Sequence, residues 1–132
     1  MLYVDYKDMT LSDFKTIGFI PSVNLEVANE FYSGLLGLRR LSNDEYANEY
    51  EINQAKLRVA KVNEAVKASH TVFGWEVTDI QSVVEDLKIK GVEFMYYEGI
   101  PQDENGIATF PNGGKVAWFK DPDENILSIT QP

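Results

Sequence analysis

The sequence contains no cysteine among its 132 residues, which excludes a disulfide framework and a thiolate metal site. It also lacks an apolar run near the roughly 20 residues that span a bilayer. Its first eight residues show no basic stretch followed by an apolar one, so no signal peptide is visible. We therefore expect a cytoplasmic protein with no membrane partner.

Basic residues are few, since 12 Lys and Arg stand against 21 Asp and Glu and give a net charge of −9. Nucleic-acid phosphates would be repelled by such a surface, so no nucleic-acid partner is expected. An acidic cleft attracts a cationic ligand because it raises the local cation concentration. The alternative is that the acidity only keeps the chain soluble, as a solvated charged surface.

A repeat divides the chain, whose length fits one domain over 1–132. A β-prone run over 16–23 is followed by a capping residue, an amphipathic helix and a glycine, and the same order begins again at 71–78. The capping residues and glycines are Asn24 and Gly37 in the first copy and Asp79 and Gly91 in the second.

Further strands follow each glycine. They are predicted over 38–41, 46–52 and 56–62, and then over 92–97, 116–119 and 126–130. The result is an α+β fold of two β-α-β-β-β modules, at about 16–62 and 70–131. The sequence thus predicts one domain with an internal duplication.

Two segments lie outside this pattern. Residues 1–15 contain an alternation of Leu2, Val4 and Tyr6, which permits an added edge strand or a contact with a second chain. The loop 98–114 is long and covers a ligand site in one interpretation. In the other it forms a hairpin in which 107–110 pairs across 111–114.

Two motifs resemble the glyoxalase/bleomycin-resistance/dioxygenase superfamily. The Phe31-Tyr32 pair before Leu36-Gly37 is similar to the signature of its first module. Residues 119–127, Phe-Lys-Asp-Pro-Asp-Glu-Asn-Ile-Leu, are similar to the Phe-x-Asp-Pro-Asp-Gly-Asn turn of its second. Glu124 departs from the usual glycine, so either Asn125 alone takes the left-handed position or the turn differs.

The resemblance implies a cupped mixed sheet with helices on its outer face and, in the enzymes, a divalent metal held from its inner face. The ligand positions fall at Ile17 or Thr16, near Arg58, at Val72 and at Ser128. None of these side chains is a competent ligand, and the Arg58 guanidinium would repel a cation. We therefore predict no metal and no cofactor, and we assign no catalytic residue.

Strand alternation places a set of side chains on one face, where they would line a small-molecule pocket. The predicted ligand-binding residues are Phe19, Arg58, His70, Glu76, Trp118 and Ser128. Ile17, Val72 and Ile126 would complete the walls, unless all these side chains simply fill the space between sheets. A cationic aromatic ligand would stack on Phe19, Trp118 and Tyr97 and pair with Glu76.

The function implied by the resemblance is metal-independent binding of a drug or metabolite, in a groove often shared by two subunits. A homodimer is therefore expected. One alternative is a glyoxalase- or dioxygenase-type enzyme with atypical ligands, including His70 and Glu76. Another is a metal-free lyase or isomerase in which an apolar pocket raises the pKa of Glu76, the general base.

Overall fold

The computed structural model describes residues 8–132, which form two four-stranded mixed sheets, one in each module. The order in the first sheet is β1-β4-β3-β2, with β1 (Ile17–Ser22), β2 (Arg39–Asn43), β3 (Ala47–Ile52) and β4 (Ala55–Lys61). The order in the second is β5-β8-β7-β6, with β5 (Thr71–Glu76), β6 (Ala108–Thr109), β7 (Lys115–Lys120) and β8 (Ile126–Gln131). The α+β class and the two modules are confirmed. The alternation of Leu2, Val4 and Tyr6 lies outside the described residues.

Each sheet has the same pairing. The first and last strands of a module run parallel, as β1 with β4 and β5 with β8, whereas the remaining neighbours are antiparallel. A parallel pair needs a long crossover connection, which the helix and the middle strands of each module supply. The duplication seen in the sequence is therefore a duplication of topology.

Each module has one helix on its crossover, and each helix begins at its predicted cap. The helix α1 (Leu25–Asn29) continues as a π-helical segment, Glu30–Leu35, and Asn24 Oδ1 accepts hydrogen bonds from the N–H groups of Glu26 and Val27. The helix α2 (Ile80–Ile89) begins after Asp79, whose side chain accepts the N–H of Ser82. No helix within residues 8–132 has the length and apolarity to cross a membrane.

Both predicted glycines end their helices in the left-handed conformation, with φ of 77° at Gly37 and 103° at Gly91. Side chains are disfavoured in that region, so glycine ends a helix there with little strain. Both helices pack an apolar side against the core, where Ala28, Val84 and Leu87 are buried, although Val27 of the first helix is exposed.

The turn after β7 joins the two modules. Tyr32 Oη donates to Asp121 Oδ2 at 2.5 Å, Asn125 Nδ2 donates to the Pro21 carbonyl at 2.9 Å, and the Val23 N–H donates to Asp123 Oδ1 at 2.9 Å. Burial and the neighbouring carboxylate raise the pKa of Tyr32, so the phenol keeps its proton and donates. Burial also raises the pKa of Asp121, and the hydrogen bonds from Tyr32 and Asn125 oppose that rise.

The strand predicted over 92–97 does not form. Phe94 makes one isolated bridge to Phe119, and the rest of the segment has no regular pairing. The Gln102 side chain satisfies its backbone instead, because it accepts the Tyr97 N–H and donates to the carbonyls of Met95 and Gly106. The position beside β7 is taken partly by the two-residue strand β6.

The hairpin interpretation of the 98–114 loop is confirmed in a shorter form. Ala108 pairs with Val116 and Thr109 with Lys115, across a turn in which the Phe110 N–H donates to the Gly114 carbonyl.

In the Asp-Pro turn it is Glu124, not Asn125, that adopts the left-handed conformation, with φ of 65°. Asn125 is buried, and its amide is committed to the contact with Pro21. Of the two predicted alternatives, the second is therefore correct, because the turn differs and Asn125 does not take the left-handed position.

Candidate ligand-binding site

Alternation along the strands gives each sheet a helix-facing side and an opposite side, which we call the open face. In the first sheet Ile20, Leu57 and Val59 point into the core. Phe19 and Arg58 alternate with them and are direct neighbours in the β1–β4 register, so both lie on the open face. Two of the predicted ligand-binding residues are thus brought together.

The first open face combines an exposed aromatic ring with a row of charges. Phe19 is 63% exposed, which is high for a phenylalanine in a strand. Beside it, Arg58 Nη1 lies 2.6 Å from Glu49 Oε2, and Lys56 Nζ lies 3.8 Å from the other oxygen of Glu49. The Glu49 carboxylate therefore balances and orients the Arg58 guanidinium.

Trp118 and Ser128 are neighbours on the open face of the second sheet. Tyr97 meets the Trp118 ring edge-on, with 5.0 Å between the centroids. Ser128 is buried, and its β5 neighbour is Gly74. A Cβ at position 74 would lie 2.9 Å from the Ser128 carbonyl oxygen and closer still to Oγ, so only glycine fits there.

His70 and Glu76 lie at the two ends of β5, and both are exposed. His70 precedes the strand, so strand alternation does not fix its direction. Glu76 pairs with Thr130 and shares the open face with Ser128. Within residues 8–132 neither side chain forms a hydrogen bond or an ion pair, so the Glu76 carboxylate is available to a ligand.

Val72 does not lie where alternation from the helix cap predicted. The β5–β8 register shifts between Thr71 and Phe73, so one residue is inserted and the alternation is displaced. Val72 packs against the core cluster, as Phe73 and Trp75 do. A bulge of this kind leaves no clear signal in the sequence of a short strand.

The predicted residues form two patches. Phe19 and Arg58 make one, and Trp118, Ser128 and Glu76 make the other. In the part of the chain that the structure describes, no hydrogen bond, ion pair or ring contact joins them. The modules approach at β1 and β5 on the helix-facing side instead, where a Cβ on Gly18 would lie 2.7 Å from the Phe73 ring.

The residues at the expected ligand positions do not fit a divalent metal ion. The Ile17 side chain has no donor atom, Val72 lacks one too and is turned to the core by the bulge, Arg58 is a cation paired with Glu49, and Ser128 is a neutral hydroxyl. Among residues 8–132, no three His, Cys, Asp or Glu side chains cluster in a way that could hold a metal.

Glu49 belongs to the first patch and was not predicted. Its place depends on the antiparallel register between β3 and β4, which sets Glu49 opposite Arg58. The sequence predicted a strand over 46–52, but it did not show which residue of β4 Glu49 would face.

The chain has the fold of glyoxalase/bleomycin resistance protein/dioxygenase proteins. One similar structure is such a protein from Alicyclobacillus acidocaldarius, at TM-score 0.70 and 16% identity over 93% of this chain and 94% of that one. Another is from Nocardioides, at TM-score 0.69 and 19% identity over 89% and 82% of the two chains.

A lactoylglutathione lyase from Agrobacterium tumefaciens is also similar, at TM-score 0.67 and 14% identity over 88% of this chain and 91% of that one. At such identities the likeness establishes the fold and not the activity. No family model and no curated protein sequence matches the chain.

Proposed function

We propose that this protein binds a small molecule on its open faces without a metal ion, and that the ligand is aromatic and cationic. The observation that carries the proposal is the set of residues on these faces. Exposed Phe19 and half-buried Trp118 accompany Arg58 and Ser128 where metal enzymes of this fold would present imidazoles and carboxylates.

Each side chain has a distinct role in this proposal. Phe19 and Trp118 offer ring faces to a planar cation, an interaction that strengthens as water is displaced. Glu76 supplies the opposite charge, since it forms no ion pair within residues 8–132. Arg58 is fixed by Glu49 and orients a polar group of the ligand, and Ser128 adds one hydrogen bond. The overall charge of −9 favours the approach of a cation.

We propose further that a homodimer completes the site. The two patches do not meet within one chain, so a second copy would place the Phe19 patch of one subunit opposite the Trp118 patch of the other. Exposed Phe19 and Ile17 would then be covered, as expected of an apolar patch at an interface. Replacing Phe19 by Asp should shift sedimentation from dimer to monomer, whereas the same change at exposed Leu11 should not.

Calorimetric titration with ethidium, a planar aromatic cation, tests the binding proposal in two buffers, one with EDTA and one without it. Wild type should bind with one dissociation constant whether or not EDTA is present. Glu76→Gln should weaken binding about tenfold, which corresponds to roughly 1.4 kcal/mol. Glu85→Gln on the exposed side of α2 removes the same charge elsewhere and should have little effect.

Metal analysis of the protein purified without chelator distinguishes metal-independent binding from a metal-dependent enzyme. Stoichiometric bound Zn, Ni, Mn or Fe would overturn the metal-independent proposal and favour an enzyme that uses His70 and Glu76 as atypical ligands. The general-base alternative has less support, because Glu76 is exposed. A cytoplasmic location is also proposed, and fractionation of cells expressing a tagged chain would test it.

A further inference from the structure

We infer a second binding site, distinct from the open faces, in an apolar cavity on the helix-facing side of the second sheet. The cavity measures about 190 Å³ and lies between α2, strands β5, β7 and β8, and the segment that follows the π-helical turn. Its ligand class is a neutral apolar molecule of the size of one aromatic ring.

The side chains that line the cavity are apolar apart from the indole N–H of Trp75. Leu87, Phe119 and Ile129 form a buried floor, and half-buried Trp75 and Val83 stand at the rim. A water molecule needs two or more polar partners to be held in such a space, and these side chains provide at most one, the Trp75 indole N–H. Hydration of the cavity is therefore unfavourable, and an apolar occupant displaces no well-bonded water.

The volume fixes the size of the occupant. The hollow of about 190 Å³ is partly open to solvent, so a small guest can reach its buried floor. An engineered cavity of about 150 Å³ lined by Leu, Ile and Phe stays dry and binds benzene or xenon. Drug-sized ligands need roughly 300 Å³ or more. A single ring fits, whereas a fused polycyclic cation does not.

Two aromatic rings suit the cavity to an aromatic guest. Trp75 and Phe119 are nearly parallel, with 14° between their planes and 6.5 Å between their centroids. Phe73 packs edge-on against the Trp75 ring, with 5.2 Å between the two ring centroids. A neutral ring gains offset or edge contacts with these partners, whereas a charged one would lose its hydration without an opposite charge.

This cavity and the open face use alternate residues of the same strands. Trp75 follows Gly74, and Phe119 follows Trp118, so the members of each pair point to opposite sides of the second sheet. The chain has only two tryptophans, and one lies at each site. Their indole N–H signals therefore report on the two sites separately.

Benzene added to the ¹⁵N-labelled full chain tests the inference. We expect a saturable shift of the Trp75 indole signal and no saturable shift at Trp118, with the signals assigned from Trp75→Phe and Trp118→Phe variants. No saturable change at Trp75 up to the solubility of benzene would overturn the inference, as would an equal change at Trp118. Ethidium binding at the open face is a separate measurement, so either proposal can fail alone.

Two matched variants on α2 locate the site. Val83→Phe places a ring at the cavity rim and should abolish the response of Trp75 to benzene, whereas Glu85→Phe adds the same ring at an exposed position and should preserve it. If Val83→Phe does not fold, Val83→Leu fills less of the cavity and should weaken benzene binding at least threefold. A full response in the folded filling variant would contradict the inference.

Discussion

The Tyr32 hydroxyl of the first module donates a hydrogen bond to Asp121 of the second, 89 positions further along the chain. The phenol is fully buried, and its carboxylate partner is nearly so. Asp121 also accepts the backbone N–H groups of Asp123 and Asn125, so one side chain both shapes the Asp-Pro turn and anchors it to the first module. This contact is one of three hydrogen bonds by which the turn is attached to the first module.

Tyr32→Phe should lower the free energy of unfolding by about 1.5–3 kcal/mol, because it leaves a buried carboxylate oxygen without one of its donors. Chemical denaturation measures the change. Tyr46→Phe is the matched control, since Tyr46 is 67% exposed and should change stability by less than about 0.5 kcal/mol. Equal effects of the two substitutions would refute the role given to the Tyr32–Asp121 contact.

Gly74→Ala should destabilise the protein by about 1–3 kcal/mol, because the added methyl group meets the Ser128 backbone as well as its side chain. Gly34→Ala adds the same methyl group in the π-helical segment, where no atom lies within 4 Å, and should be neutral or slightly stabilising. Thermal unfolding of the two variants distinguishes these outcomes. A harmless alanine at position 74 would mean that β5 and β8 approach less closely.

The contribution of Asp79 to stability should depend on pH. The side-chain and backbone hydrogen bonds from Ser82 hold the pKa of Asp79 below its ordinary value. Its stabilising effect is therefore complete above the unfolded pKa, about 3.9, and is lost as the pH falls through the lower folded pKa. Asp79→Asn keeps a capping group without the charge.

Wild type should accordingly have the higher melting temperature at pH 7, and the difference from Asp79→Asn should shrink steadily below pH 4. A difference that stays constant from pH 7 to pH 2.5 would exclude a charge-dependent cap.

The Arg58–Glu49 pair should show a coupling free energy near 1 kcal/mol in a double-mutant cycle with alanine. Its atoms are 2.6 Å apart and both side chains are partly buried, so the charges are incompletely screened. The Arg39–Glu51 pair of the same sheet is the control, at 3.6 Å with side chains 77% and 54% exposed, and should couple by less than about 0.5 kcal/mol. Equal couplings would show that Glu49 does not fix Arg58.

Local chemistry made most of the fold predictable. Asn24 and Asp79 cap the helices and Gly37 and Gly91 end them, because these residue types satisfy or relax the backbone by themselves. The strand that failed depends on a side chain from the loop that follows it. Gln102 replaces the strand predicted over 92–97 with side-chain hydrogen bonds, an exchange that the pattern of that strand does not reveal.

The candidate site was predictable only in part. Alternation placed Phe19, Arg58, Trp118 and Ser128 on the face away from the helices, but it did not show that they divide into two patches. It failed at Val72, where the bulge in β5 breaks the period of two. The cavity beside Trp75 was also missed, because its lining has the same apolar spacing as a filled core.

Metal-independent binding at the open faces can be followed through the indole signal of Trp118. Titration of the labelled protein with ethidium should produce a saturable shift of that signal, with the same dissociation constant before and after treatment with EDTA. A titration that leaves Trp118 unchanged, or a shift that EDTA abolishes and added metal restores, would contradict the account.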